Sequence, residues 1–244
     1  AVIYILTKIH RQKLLMRALD SIYQNFNHRF NYPIIIFHEK EFTAKIPQIQ
    51  TETRNKIYFQ EIAFAEPDFM KRSIPENITC SSSIGYRHMC RFHSKMLYHH
   101  PIIRGFEFLF RLDDDSVLLS QIHYDIFVFM RKNNITYGYK TTSFDQPRCT
   151  TGLWEITGHF INVTGVKPTF DNTWKPLKLF YNNFEVSRSA LWLSREYSAY
   201  INYLDHTGGV FYHRWGDAPI KSLAVSMFVH ENQTHQFTDI KYKH

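Results

Sequence analysis

"FEFLFRLDDDSVLL", residues 106–119, runs from an aromatic, apolar segment into three consecutive aspartates and back into an apolar one. The first half reads as a buried strand, which puts Asp113, Asp114 and Asp115 at its carboxyl end. Ligands of open α/β sheets bind outside that end of the strands. Adjacent carboxylates repel one another, so the cluster is costly unless water or a cation offsets its charge. A divalent cation carrying a diphosphate would do so, because a metal bridges carboxylate and phosphate oxygens. The plainer reading is a solvated turn in which Ser116 and the aspartates cap local backbone groups.

The segments on either side decide what kind of sheet this strand belongs to. "AVIYILT" (1–7) is a short β-rich run, and Leu14, Leu15, Ala18, Leu19, Ile22 and Phe26 then recur at helical spacing. "YPIIIFHE" (32–39) has the continuous apolar character of a strand covered on both faces, and "KIYFQEIAF" (56–64) alternates like a third strand. After a loop over 67–79 comes a helix over about 84–99, then the opening strand. Beyond the aspartates, 124–134 reads as helix and 135–139 as strand, while 140–180 is too patchy to assign. Residues 194–209 form a helix ended by a glycine pair, and 217–229 a helix with Asp217 as its N-cap and a first-turn proline. Strands alternating with helices predict an α/β fold with a mainly parallel sheet flanked by helices, in a single domain over 1–244.

Composition narrows the function classes. The 244 residues are 44% hydrophobic and 16% aromatic, enough for a large core, and carry a net charge of +7. The lysines and arginines are scattered rather than striped, which ranks a small phosphorylated substrate above a polynucleotide. No stretch approaches the about 18 continuous apolar residues that would span a bilayer. Sequons begin at Asn77, Asn134, Asn162 and Asn232 and favour a secretory-pathway lumen. Cys80, Cys90 and Cys149 permit at most one internal disulfide and match no zinc spacing. His88, His93, His99 and His100 show no ligand spacing and read as surface or satisfied helix histidines.

"IGYRHMCRFHSKMLYHH" (84–100), "FRLDDDSVLLSQIHYDIFVFMRKNNITYGY" (110–139), "NNFEVSRSALWLSREYSAYINYLDHTGGVFYHRWGDAPIKSLAVSMFV" (182–229) and "HQFTDIKYKH" (235–244) together resemble the fungal Golgi α-1,2-mannosyltransferases, glycosyltransferase family 15. "YLDHTGGVFYHRWGDAPI" is the most specific of these matches. The resemblance implies a nucleotide-sugar transferase fold of the GT-A kind, GDP-mannose as donor, Mn²⁺ as cofactor and a mannoside hydroxyl as acceptor, with retention of configuration. It implies a soluble domain of a Golgi type II membrane protein whose anchor lies outside this chain, and the family continues where this sequence ends at His244.

Carried onto this sequence, the resemblance makes Asp113, Asp115 and His244 the metal ligands. It puts Tyr86 beside the diphosphate, Glu185 in the mannose site and Asp217 on the acceptor side, the last two as catalytic candidates. Lys8, Arg214 and Trp215 join Tyr86 as substrate-binding candidates, although Arg214 and Trp215 also read as packing. Glu185 is the one carboxylate that could serve as nucleophile; its other role is to steady the sugar, and its plain reading is a surface acid at a strand end. Two departures stand out. The family's Glu-Pro-Asp is Asp113-Asp114-Asp115 here, and Lys8 stands where the family has arginine, whose planar two-pronged contact a lysine does not reproduce. The competing expectations are a different nucleotide-sugar donor on the same fold, and a glycan-binding relative without turnover.

Overall fold

The computed structural model describes residues 1–70, 72–78, 80, 83–170 and 174–244. The sequon at Asn77 ends on Thr79, which lies outside the described residues, as do parts of the 67–79 loop and of the 140–180 stretch.

The central sheet is built from β1 (Val2–Thr7), β2 (Ile34–His38), β3 (Ile57–Glu61), β4 (Phe108–Leu112), β6 (Tyr137–Tyr139), β9 (Phe184–Arg188) and β10 (Thr234–Gln236), in the order β10-β6-β9-β4-β1-β2-β3. Neighbours β3, β2, β1 and β4 run parallel, as do β6 and β10, whereas β9 runs antiparallel to both β4 and β6. The mainly parallel sheet expected from the alternation of elements is present. Two small antiparallel pairs complete it: β5 (Val117–Leu118) with β11 (Tyr242–Lys243), and β7 (Thr142–Phe144) with β8 (Lys178–Phe180).

Both faces of the sheet are covered, which is why β1, β2 and β4 read as continuous apolar runs. One face, with Ile3, Ile5, Ile36, Phe108, Phe110 and Val186, packs against helices Gln12–Ile22 and Ile126–Lys132. The other, with Val2, Tyr4, Ile35, Phe37 and Leu109, packs against helices Arg195–Thr207 and Asp217–Phe228 and the long helical stretch from Ile84. That stretch is α-helical over Ile84–Arg91 and continues as a wider turn over Phe92–Met96 and a tighter one over Leu97–His99. Alternating side chains along each strand therefore feed two separate cores, and a residue's parity decides which one it enters.

Some local expectations are corrected. The unassigned 140–180 stretch contains the helix Leu153–Thr164 and the β7–β8 pair. This helix is bounded by Gly152 and Gly165 at φ 78° and 69°, and its run of Ile, Thr, Val and Gly hides the helical signal. Asp217 is not an N-cap: Gly216 takes that place, and Asp217 lies in the first turn with its side chain turned inward. Gly208, at φ 70°, ends Arg195–Thr207 as expected. Cys80 and Cys149 form a disulfide and Cys90 is a buried free thiol. Among the described residues no helix is long and apolar enough to cross a membrane.

Candidate functional site

A groove of about 460 Å³ opens at the carboxyl ends of β1 and β4. Its walls come from Thr7, Lys8 and Arg11 after β1, Glu39 after β2, Ser83, Gly85, Tyr86, Met89 and His93 of the Ile84 helical stretch, and Asp113, Asp114, Asp115 and His244. A shallower depression on helix Arg195–Thr207, lined by Ala199, Asn202, Tyr203, His206 and Thr207, gathers no acid cluster.

The aspartates occupy a turn closed from both sides: the Ser116 amide donates to the Asp113 carbonyl at 3.0 Å, and the Asp113 amide donates to the Ser116 hydroxyl at 2.9 Å. The capping turn and the acid cluster are thus one structure. The three carboxylates diverge within it. Asp114 turns inward, accepting from the Thr7 hydroxyl at 2.8 Å and from Arg11 Nε at 2.6 Å, while Arg11 Nη2 reaches Asp115 at 2.5 Å. Asp113 and Asp115 turn toward His244, whose Nε2 lies 3.4 Å from Asp113 Oδ2 and 3.1 Å from Asp115 Oδ1. His244 arrives there because β11 pairs with β5, which directly follows the aspartate turn (Lys243 opposite Val117).

These separations suit adjacent ligands of one octahedral ion, which at bond lengths of about 2.1 Å stand about 3 Å apart. A mixed imidazole and carboxylate set also matches the preferences of Mn²⁺ rather than those of a soft ion. Among the described residues no group of three or more His, Cys, Asp or Glu side chains is disposed to hold a metal ion as the side chains stand, so Asp113, Asp115 and His244 form at most an open half-shell. Burial alone would raise the Asp113 carboxyl, but Arg111 and then His244 hold it well below its ordinary value. The hydrogen bond to Asp113, opposed by burial and supported by both carboxylates, raises His244. For Asp114, burial outweighs Thr7 and Arg11 and moves its carboxyl up.

Beneath the groove lies a buried polar cluster that interrupts the apolar face of the sheet. Tyr4, Arg111, Glu185 and Tyr139 occupy one row across β1, β4, β9 and β6. Arg111 donates to Asp113 at 3.0 Å and, through Nη1, to Asp217, which also accepts from Asn182 at 2.7 Å. One turn further along the same helix, Lys221 Nζ lies 2.5 Å from Glu185 Oε1, and Tyr137 donates to Glu185 Oε2 at 3.0 Å. Burial would raise the Asp217 carboxyl, yet Arg111, with His93 and Lys221, draws it below its ordinary value. Burial lowers His93 to about 3, with Arg111 adding to the effect, so this imidazole is neutral.

Tyr86 and Lys8 line the groove. Arg214, held at φ 63°, stacks its guanidinium 4.3 Å from the centre of the Tyr86 ring. Cys90, then burial and Asp217, push the Tyr86 hydroxyl upward. Trp215 is not brought to the groove. It is buried, its indole donates to the Thr151 carbonyl at 2.8 Å, and it fills the space over Gly209. Glu185 is only 1% exposed, in a strand interior rather than at a surface end, and with Asp217 it lies below the groove lining. His93 is likewise no satisfied helix histidine: it is buried, and its Nδ1 has no hydrogen-bond partner among the described residues. Arg11, Arg111, His93 and Lys221 escape sequence reading, since a lone basic residue carries no local sign of its distant partner.

Comparison with known proteins matches this architecture. The sequence profile of the family described as glycolipid 2-alpha-mannosyltransferase covers residues 1–244. The α-1,2-mannosyltransferase KTR1 of Saccharomyces cerevisiae is 31% identical over 94% of this chain and 64% of its own length. The probable mannosyltransferase KTR4 of the same yeast is 30% identical over 94% of this chain and 57% of its own. Among solved structures, core-mannan synthase A of Aspergillus fumigatus, in a manganese and GDP form, superposes with a TM-score of 0.91 at 27% identity over all of this chain and 74% of that one. The chain thus spans little more than half the length of some curated relatives, and its fold is the GT-A-like α/β fold of these transferases. On the full-length profile match and the identity to these relatives, the chain belongs to the glycolipid 2-alpha-mannosyltransferase family.

Proposed function

We propose that the protein is a retaining glycosyltransferase that moves mannose from GDP-mannose to a hydroxyl of an α-mannoside, forming an α-1,2 linkage. The observation that carries this reading is the convergence of Asp113, Asp115 and His244 within 3.1 and 3.4 Å at the floor of a groove large enough for a nucleotide. The core-mannan synthase form with manganese and GDP supports it. Asp113, Asp115 and His244 would hold Mn²⁺, which when bound supplies charge stabilisation to the departing diphosphate.

The chain's own groups complete the site. Arg11 and Asp114 brace the aspartate turn, Lys8 and Tyr86 face the nucleotide and diphosphate, and Arg214 fixes the Tyr86 ring. Asp217 serves the acceptor side and Glu185 the mannose side. The disulfide accords with a secretory-lumen location, as a Golgi domain tethered by an anchor outside this chain. A donor screen tests the reading: the protein is incubated with a panel of nucleotide sugars and methyl α-mannoside, with Mn²⁺ and with chelator. Transfer from GDP-mannose that disappears in chelator is expected; no transfer from GDP-mannose with any metal defeats the reading. Transfer from another donor instead would trace to Lys8, the groove residue that departs from the family's arginine.

A further inference from the structure

Helix Asp217–Phe228 presents two charged side chains to the sheet, one turn apart, and the sheet answers with two of opposite sign. Asp217 meets Arg111, Lys221 meets Glu185, and Arg111 and Glu185 stand directly opposite each other on β4 and β9. The four make a closed square of alternating charge. Lys221 is its least explicable corner. It is fully buried, in a helix that otherwise supplies Ile220, Leu223, Ala224 and Val225 to the core. Its Nζ lies 4.5 Å from the Trp192 ring centre as well as 2.5 Å from Glu185.

A buried ion pair of this kind adds little stability over well-packed apolar residues, because desolvating both charges offsets their attraction. A role in stability alone does not explain it. The square also communicates with the groove. Arg111 donates to Asp113, which lines the groove, and His93, also in the lining, is lowered chiefly by burial with Arg111 adding to it. His93 Nδ1 and the hydroxyls of Tyr4 and Tyr98 are buried without hydrogen-bond partners among the described residues.

We propose that Lys221 is a positioning residue for the transfer step, committing Glu185 to an ion pair so that it orients the sugar pocket and does not attack the sugar. The inference rests on the functional reading above. Both carboxylate oxygens of Glu185 are engaged, Oε1 by Lys221 and Oε2 by Tyr137, and the carboxylate is buried below the groove lining, which holds it away from an anomeric carbon seated in the groove. Transfer then proceeds by attack of the acceptor hydroxyl oxygen on the anomeric carbon from the face that the diphosphate leaves: the bond from acceptor oxygen to C1 forms as the bond from C1 to the phosphate oxygen breaks, GDP departs, and the hydroxyl proton passes to the departing diphosphate, with no glycosyl bond to Glu185.

The test uses wild type, Lys221→Met, Lys221→Arg and the double variant Lys221→Met with Glu185→Gln. Each is measured for kcat, for KM of donor and acceptor, for GDP binding in Mn²⁺, and for melting. Lys221→Met is expected to lose about 100-fold in kcat, as for a displaced reacting group, with GDP affinity within about twofold. Lys221→Arg should recover at least a tenth of the lost rate, and the double variant should be no slower than Lys221→Met, because the pair acts as a unit. If Lys221→Met does not fold, the double variant, which leaves no lone buried charge, gives the same reading of kcat. Wild-type kcat in folded Lys221→Met or in the double variant overturns the proposal. So does a hexose adduct on the Glu185 peptide of wild type or of Lys221→Arg incubated with donor. A wild type inactive with every donor overturns the functional reading, and with it this role; an active wild type matched by Lys221→Met overturns the role alone.

Discussion

Arg111 and Glu185 are directly opposed across β4 and β9, yet they form no ion pair with each other. Each turns instead to the helix above, Arg111 to Asp217 and Glu185 to Lys221, and Arg111 spends its Nε on Asp113. The consequence is a continuous line of charge from the helix through the sheet to the half-shell at the groove floor. Of the three aspartates only Asp113 meets Arg111; Asp114 is tied to Arg11, and Asp115 to both Arg11 and His244. The acid run therefore divides its labour by which cation each member meets.

Removing Arg111 breaks the line at its centre. Arg111→Met leaves Asp217 buried with only Asn182 and releases Asp113 from its strongest favourable charge. Loss of one partner from a buried pair costs about 3–5 kcal/mol, so denaturant unfolding should show a loss of that order. Mn²⁺-dependent GDP binding should weaken as well, since Asp113 loses the Arg111 Nε hydrogen bond that orients its carboxylate. Unchanged stability would mean that water reaches Asp217 in place of the guanidinium.

Asp115→Ala and His244→Ala each remove one corner of the half-shell while leaving Arg111 and the buried square intact. Calorimetry with GDP and Mn²⁺ should show binding fall to the level seen in chelator for both variants, and circular dichroism should remain as in wild type. Asp114→Asn should behave differently. Asp114 braces Thr7 and Arg11 rather than facing His244, so its loss should cost stability and loosen the groove without abolishing the metal response. Equal effects of Asp114→Asn and Asp115→Ala would contradict the division of the acid run.

The same geometry sets a pH dependence. The Asp113 hydrogen bond raises His244 above the ordinary imidazole value. In the metal-free protein the pairing of His244 with the carboxylates thus contributes stability below the unfolded value of about 6.5, and this is lost as pH rises through the raised value. Metal binding has the opposite sign, because a ligating imidazole must be neutral. Mn²⁺ affinity titrated from about pH 5 to pH 8 should therefore rise with a midpoint above that of free histidine. In His244→Gln the step should vanish; a midpoint at or below the free value would show that the carboxylates do not hold the proton.

What the sequence discloses follows from how local each signal is. β1, β2 and β4 are legible because burial on both faces leaves an unbroken apolar run, and the aspartate turn is legible because its acids are consecutive. The helix Leu153–Thr164 is not, since β-branched residues and glycine blur its periodicity. His244 enters the site through the pairing of β11 with β5, and only the family resemblance points to it. Lys221, in "PIKSLAV", and Arg111, at the end of a strand that reads as buried, carry no local sign of a partner. Their partners sit on elements 36 and 106 residues away, so no window of sequence contains both charges of either pair.

The disulfide offers a test of how the groove wall is held. Cys80 precedes by a few residues Ser83, Gly85 and Tyr86, which line the groove, and Cys149 closes the short turn Pro147–Cys149. The bond thus anchors the start of the groove-lining helix to the segment before helix Leu153–Thr164. With a sequence separation of 69 between the cysteines, chain-entropy arguments assign the link about 4 kcal/mol. Cys80→Ser, or reduction of the wild type, should lower the unfolding midpoint accordingly and weaken GDP binding through the loosened Ser83–Tyr86 end. The buried Cys90 should stay unalkylated until the protein unfolds, which separates local loosening from global unfolding. If reduction changes neither midpoint nor GDP affinity, the Ile84 helix is held by its packing on Phe211 and the sheet alone, and the covalent link is dispensable to the groove.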